Sequence, residues 1–362
     1  LKAPAVVLDI KGEMLKASYR WRQENVGPVQ VYAPSLPKIS AHYNPLDHVR
    51  ADVAGAWEDA RKLAELLVVP STKGGDDYFE RRARDMIATT VADVAISEEG
   101  SRRTMQSVLD RMYVSDPAEI ATWCDHLASL STQLRRQADA LRGMPDKQRE
   151  GVMDSARSHL EVWQSPVLED LSADSTFNAE HLRANNGTLY IVVPLEDIKR
   201  QASILRVIIG QTVHALSRDV PARDALPVTF FLDEMPRLGR MDVIEEGLDV
   251  GRGYGLRFWL FAQNLGQLQT AYPNADGMIS NCAVRCFMNP DENAAKWMAE
   301  HLGQREGLID GKRKPLAEAS ELTGPKFANS VVAFVRGNHP ARLDKVFAYA
   351  DPTTAERMKT KA

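Results

Sequence analysis

Cysteine is scarce in this chain: Cys124, Cys282 and Cys286 are the only three in 362 residues. So few exclude a disulfide framework. Cys282 and Cys286 lie four apart in an apolar, strand-like run, and no histidine is spaced to join them as a metal ligand. They read as free, mostly buried thiols of a reducing compartment. No apolar run approaches the ~20 residues a membrane-spanning helix needs, and no signal peptide is present. Neither sign of charge prevails, since 45 lysines and arginines against 49 aspartates and glutamates leave a net charge of −4. No overall basic field therefore advertises nucleic-acid binding.

What is present is ordinary globular material, 44% hydrophobic and 26% charged, enough for one large domain or two smaller ones. The first residue is Leu1, not Met, and a strand begins almost at once. The sequence reads as a piece of a longer protein.

The segment 227–236, PVTFFLDEMP, is the natural centre of the chain. Val228 to Leu232 is a β-branched and aromatic run, which predicts a buried central strand. Asp233 and Glu234 end it. An apolar strand delivering two adjacent acids at its carboxyl end suits phosphoryl transfer. One acid can hold Mg²⁺ and the other can polarise a water. A strand that merely ends in a solvated acidic turn would look the same over ten residues.

The rest of the chain weighs on that choice. A second buried strand, 4–10 (PAVVLDI), also ends near an acid and is followed by Lys11-Gly12-Glu13. Helix-compatible residues 14–23 lead to a short strand at 29–33. Apolar residues at helical spacing mark 49–68, and after the Gly74-Gly75 loop a helix is predicted over 78–95, with Asp77 as a plausible N-cap. Between about 97 and 182 strand signals vanish and four amphipathic segments follow, 101–113, 117–130, 132–141 and 147–163. Residues 94–182 hold 15 acids against 9 lysines and arginines. An acidic, all-helical lobe of this kind is either a solvated cap or a protein-docking surface, and its charge argues against a grip on DNA phosphates.

Strands resume at 187–194, followed by a helix over 195–217 with a wide apolar face. After 228–232 come Gly251-Arg252-Gly253-Tyr254-Gly255 and a strand at 256–261 ending in Ala262-Gln263-Asn264. Strands at 283–288 and 330–335 close the pattern. Alternating strands and helices predict an α/β fold with a largely parallel sheet. Ligands of such sheets lie outside the carboxyl ends of strands. Asp233, Glu234 and Gln263 all occupy ends of that kind.

These residues resemble a known family. VVLDIKGE, YNPL, DYFERRARDM, LYIVVPLED, FFLDEMPRLGRMD, GRGYGLRFWLFAQNLGQL and NCAVRCFMNPDENA are similar to the TraG/TraD-type coupling proteins of conjugation and type IV secretion. The FFLDE-to-AQN region is the most specific part, and the acidic block the least. The resemblance implies a RecA-like P-loop ATPase sheet with an inserted all-α domain. Residues 1–93 and 183–362 would form the two parts of the nucleotide-binding domain, and 94–182 the all-α domain.

It also implies a membrane-anchored homo-hexamer on the cytoplasmic side of the bacterial inner membrane. Such a motor hydrolyses ATP with Mg²⁺ and brings DNA, a relaxase–DNA complex or effector proteins to the channel components. Asp233 then matches the Mg²⁺-coordinating acid and Glu234 the water-activating acid. Arg252 matches an arginine finger offered to the neighbouring subunit, and Gln263 a sensor of the γ-phosphate. Taken singly, Arg252 could be a turn arginine and Gln263 a helix cap.

One departure is large. The 362 residues contain no G-x-x-x-x-G-K-(S/T), and Thr72-Lys73-Gly74-Gly75 is no substitute, because the order is wrong and no strand precedes it. In the family that loop lies just upstream of the strand matching PAVVLDI. The expectation is a fragment that binds ATP poorly alone. Two alternatives share the fold: a substrate-recruiting scaffold without catalysis, and a soluble DNA-translocating ATPase.

Overall fold

Five short apolar runs become five parallel strands: β1 (Ala5–Asp9), β2 (Val29–Tyr32), β3 (Thr188–Val192), β4 (Val228–Leu232) and β5 (Leu256–Leu260). They pair in the order β2-β3-β1-β4-β5. This computed structural model describes residues 2–69, 77–306 and 313–358. The Thr72-Lys73-Gly74-Gly75 stretch lies outside the described residues. By contacts the chain divides into two units, residues 1–260 and 261–362.

In the first unit β1, β3 and β4 are buried on both faces, which is why they read as continuous apolar runs rather than as alternating ones, whereas β5 leaves Arg257 and Trp259 exposed. One face gathers Ala5, Val7 and Tyr190 with Met14 and Leu15 of helix α1 (Glu13–Asn25). Alternate residues point the other way, and Val6, Leu8, Leu189, Ile191, Phe230 and Leu232 are fully buried there. Polar groups pin α1 to the sheet. Arg22 donates to Thr188 Oγ1 (2.7 Å) and to the Ala3 carbonyl (2.6 Å), and Ser18 Oγ lies 2.6 Å from Tyr190 Oη.

Helices α2 (Val53–Leu67) and α3 (Asp77–Ser97) pack against each other. Asp52 caps α2 by accepting the Gly55 N–H. A helical block follows: α4 (Met105–Met112), α5 (Pro117–Leu130), α6 (Thr132–Arg142), α7 (Asp146–Leu160), α8 (Pro166–Leu171) and α9 (Ala179–Ala184). Its α7 packs along α3, and α4 and α5 are tied to α3 through Asp93, whose side chain is wholly buried. That carboxylate accepts from Trp123 Nε1 (2.7 Å) and Ser97 Oγ (2.9 Å), pairs with Arg111 Nε (2.9 Å) and lies 3.0 Å from His126 Nε2.

Two helices complete this unit, α10 (Ile198–Leu216) and α11 (Asp242–Val250). α10 is buried along nearly its whole length and packs against α2, α9 and α11. Its Gly210 is where α2 comes closest, since a Cβ there would run into the Leu66 side chain.

The second unit contains α12 (Leu265–Ala271), α13 (Ala275–Asn281), β6 (Val284–Met288), α14 (Glu292–His301), the hairpin β7 (Gln304–Glu306) and β8 (Arg313–Pro315), α15 (Ala319–Leu322), β9 (Ser330–Val335), β10 (Ala341–Asp344) and α16 (Pro352–Met358). The late strands depart from the parallel pattern expected of them. β6, β9 and β10 form an antiparallel sheet in the order β10-β9-β6. The reason is local for β9 and β10, because only a short turn joins them, at Gly337 with φ +78°, and a parallel pair needs a crossover of a dozen or more residues. Ala295, Met298, Leu322, Val332 and Phe334 make the small core of this unit. Among the described residues no helix is long and apolar enough to cross a membrane.

Candidate functional site

β1 and β4 are neighbours in register, Leu8 opposite Leu232, so the last residue of β1 and the first residue after β4 emerge side by side at the carboxyl edge. Those residues are Asp9 and Asp233. Asp9 is 2% exposed and its Oδ2 accepts the Leu15 N–H (2.8 Å) in the first turn of α1. Gly12, at φ +68°, makes the bend between β1 and α1.

Asp233 is partly buried, and its carboxyl is pushed above the ordinary aspartate value. Burial is the largest cause, and the charges of Glu234 and Asp9 add to it. Lys11 and the Glu234 N–H act in the opposite direction. A clustered, partly desolvated carboxylate of this kind is a good place for a cation. Among the described residues, no three or more His, Cys, Asp or Glu could hold a metal by themselves. Magnesium commonly takes one or two carboxylates and completes its shell with phosphate oxygens and water, so Asp233 fits such a shared site.

Glu234 has φ 51° and ψ 33°. The other two non-glycine residues with positive φ among those described are Asn186 and Asn289, a type that tolerates the left-handed region. Glutamate does not, and strain of that sort gathers at functional sites. The conformation turns the chain sharply into the 3-10 turn Met235–Leu238, where Arg237 Nε meets Glu234 Oε2 at 3.0 Å. Arg206 of α10 fixes the same turn, donating to the Leu238 carbonyl (2.9 Å) while also donating to the Leu66 carbonyl of α2 (2.9 Å).

Arg252, also singled out in the sequence, lies apart from this cluster. Arg252 is exposed, on the 3-10 turn Gly251–Tyr254 that enters β5, and its side chain has no hydrogen bond or ion pair among the described residues. β5 runs parallel to β4, with Val228 opposite Leu256, so Arg252 sits at the amino edge. The five residues of β4 separate it from Asp233 by about 16 Å of strand. Within one chain Arg252 is therefore remote from Asp233 and Glu234. Gln263 belongs to the second unit, exposed, with its Oε1 accepting from Gln267 Nε2 (3.1 Å). The cap of α12 is its neighbour Asn264, which accepts the Gln267 N–H (2.9 Å).

Asp9, Arg237 and Arg206 were not singled out as site residues from the sequence. Asp9 could have been, as an acid ending an apolar strand in the same way as Asp233. Arg206 is a lone charge amid the apolar run of α10, and Arg237 follows Glu234 by three.

Comparison with known proteins gives a consistent set of likenesses. Residues 2–306 match the sequence model of a family described as type IV secretory system conjugative DNA transfer. A conjugal transfer protein TraG of Escherichia coli is 25% identical over 359 residues, covering 93% of this chain and 56% of the relative. Protein VirD4 of Agrobacterium fabrum is 26% identical over 379 residues, covering 97% and 55%. The chain thus spans about half the length of these relatives. Among solved structures, the plasmid coupling protein TrwB with ADP and Mg²⁺ aligns at TM-score 0.70 and 15% identity, over 97% of this chain and 88% of that one. The complex of TrwB with the non-hydrolysable ATP analogue ADPNP aligns at 0.69 and 16%, with the same coverage. At these identities the likeness shows a shared fold.

Proposed function

The chain belongs to the type IV secretory system conjugative DNA transfer family, and from that premise we propose that it is the ATP-hydrolysing part of a coupling protein. The observation that carries the proposal is the pair Asp233 and strained Glu234 at the carboxyl end of a central strand, beside buried Asp9.

In this reading Asp233 holds the Mg²⁺ ion, and Glu234 orients the attacking water and takes its proton. When bound, Mg²⁺·ATP supplies the phosphoryl group and neutralises its charge. Arg252 acts on the site of the adjoining subunit in a homo-hexamer, which its distance from Asp233 in its own chain favours. Gln263 serves as the sensor of the terminal phosphate. The motor works on the cytoplasmic side of the bacterial inner membrane. It passes DNA, with its relaxase, or effector proteins to the channel components, and residues 94–182 receive the protein substrate.

The 362 residues contain no G-x-x-x-x-G-K-(S/T), so by themselves they bind Mg·ATP weakly. The direct test is Glu234→Gln in the full-length protein. Nucleotide should still bind, while turnover falls about a hundredfold or more. Retained turnover removes Glu234 from this role.

A further inference from the structure

The carboxyl edge that holds Asp233 is rich in carboxylates. Asp9, the last residue of β1, lies in register with Asp233, the first residue after β4, and neighbouring strands run about 5 Å apart. Glu234 follows directly. The arginines described above are committed elsewhere. Arg237 is paired with Glu234 at 3.0 Å. Arg206 donates to the carbonyls of Leu66, Leu67 and Leu238. Arg252 stands at the opposite edge of the sheet.

Lys11 differs from all three. It lies two residues beyond Asp9, in the bend between β1 and α1, and its side chain is exposed. Its ammonium has no hydrogen bond or ion pair among the described residues, although carboxylates are close by. Its charge is nevertheless felt at Asp233, where it acts against burial and the neighbouring acids.

The backbone that carries Lys11 is fixed on both sides. Before it, Asp9 is 2% exposed and its Oδ2 accepts the Leu15 N–H (2.8 Å). After it, Gly12 is buried at φ +68°, a conformation that other residues rarely adopt. Arg22 anchors the same helix to Thr188 Oγ1 and to the Ala3 carbonyl. A lysine held at its backbone and unpaired at its tip is pre-organised for a ligand.

Charge then assigns the ligand. A terminal phosphate brought to Asp233 with Mg²⁺ carries its oxygens into a group of three carboxylates. Mg²⁺ offsets part of the repulsion, and a cation beside Asp233 offsets more. An ammonium on a flexible stem suits a phosphate, to which it acts as a point charge with three donors.

We propose that Lys11 binds the terminal phosphate of the nucleotide at this site, an inference that rests on the ATPase reading of Asp233 and Glu234. The ammonium donates to oxygens that a triphosphate has and a diphosphate lacks. Lys11 therefore raises affinity for the nucleotide before hydrolysis and leaves affinity for ADP unchanged, which favours release of the product.

The test is calorimetric titration of the full-length protein in Mg²⁺, with the non-hydrolysable ATP analogue ADPNP and with ADP in parallel. Lys11→Ala should weaken ADPNP binding about tenfold or more, and ADP binding by no more than about twofold. Lys11→Gln, which keeps most of the stem, should behave in the same way. Lys11→Arg should recover most of the ADPNP affinity, and the Tm of each unliganded variant should match that of the parent. Equal weakening of both nucleotides overturns the proposal, because a merely structural effect would not tell them apart. So does ADPNP affinity that both neutral variants leave intact. A parent that binds neither nucleotide sinks the ATPase reading and Lys11 with it, so the parent's own titration separates the two failures.

Discussion

Arg237 holds one oxygen of Glu234 and leaves the other unbonded. The Arg237 Nε to Glu234 Oε2 distance is 3.0 Å, with the two side chains 28% and 15% exposed, and Glu234 Oε1 has no hydrogen bond among the described residues. A surface ion pair of this kind contributes about 0–1 kcal/mol to stability. Its larger effect is directional, because it fixes which way a carboxylate on a left-handed residue can point. Under the proposed function that free oxygen faces the water.

Arg237→Ala should therefore change turnover more than binding. In the full-length protein kcat should fall about tenfold while KM for ATP stays near the parent value. Steady-state ATP hydrolysis separates the two. A rise in KM with kcat unchanged would mean that Arg237 helps to bind nucleotide and does not steer Glu234.

Arg252 acts in trans if the proposal is right. Arg252→Ala subunits alone should be inactive, and mixing them with Glu234→Gln subunits should restore part of the ATPase rate. Restoration arises at interfaces where one chain supplies Glu234 and the other supplies Arg252. The rate should follow mixing ratio and protein concentration. Loss of activity that no mixing restores would place Arg252 outside the reaction.

Asp233 carries a pH signature with a definite sign. Its folded-state pKa is raised by burial and by Glu234 and Asp9, so the ionised form is disfavoured by folding. Asp233→Asn should give a higher Tm than the parent near neutral pH in the absence of Mg²⁺. The gain should shrink as pH falls through the raised pKa and vanish below the ordinary aspartate value, where the parent is protonated in both states. Mg²⁺ should raise the Tm of the parent and leave that of the variant unchanged. Thermal melts across pH, with and without Mg²⁺, read all of this.

Gly210 should resist replacement for a packing reason. Alanine in mid-helix ordinarily stabilises by roughly 1 kcal/mol over glycine, but here a Cβ meets Leu66. Gly210→Ala should destabilise by about 1–3 kcal/mol, and Leu66→Ala in the same chain should recover part of that loss. Urea unfolding of the four members of the cycle would show the coupling. Additive effects would mean that the two helices simply move apart.

Much of the first unit was legible in advance because β1, β3 and β4 are buried on both faces and read as continuous apolar runs. Val228–Leu232 and Pro117–Leu130 fall where the sequence puts them, and 29–33 and 256–261 are each off by a single residue. Strand order was not legible, since β1 lies beside β3 and β4 through pairings that no local pattern encodes. The late strands 283–288 and 330–335 were found but their antiparallel pairing was not, because period and propensity do not report direction. At the candidate site, the Asp233-Glu234 pair stands out as two adjacent acids ending an apolar run. The strain at Glu234 and its tie to Arg237 depend on a backbone angle, and the role of Arg206 depends on carbonyls of Leu66 and Leu238 that lie far from it in sequence.

Asp93 gathers the polar ties between α3, α4 and α5 in one buried carboxylate. That arrangement separates two things a lineage could vary. The solvent-facing residues of α5 and α6 are free to diverge, and to suit different company, without shifting how the block is mounted. A change at Asp93 alters the mounting itself and takes away the acceptor of the Trp123 indole N–H. Divergence should therefore be rapid on the outer faces and slow around this one side chain.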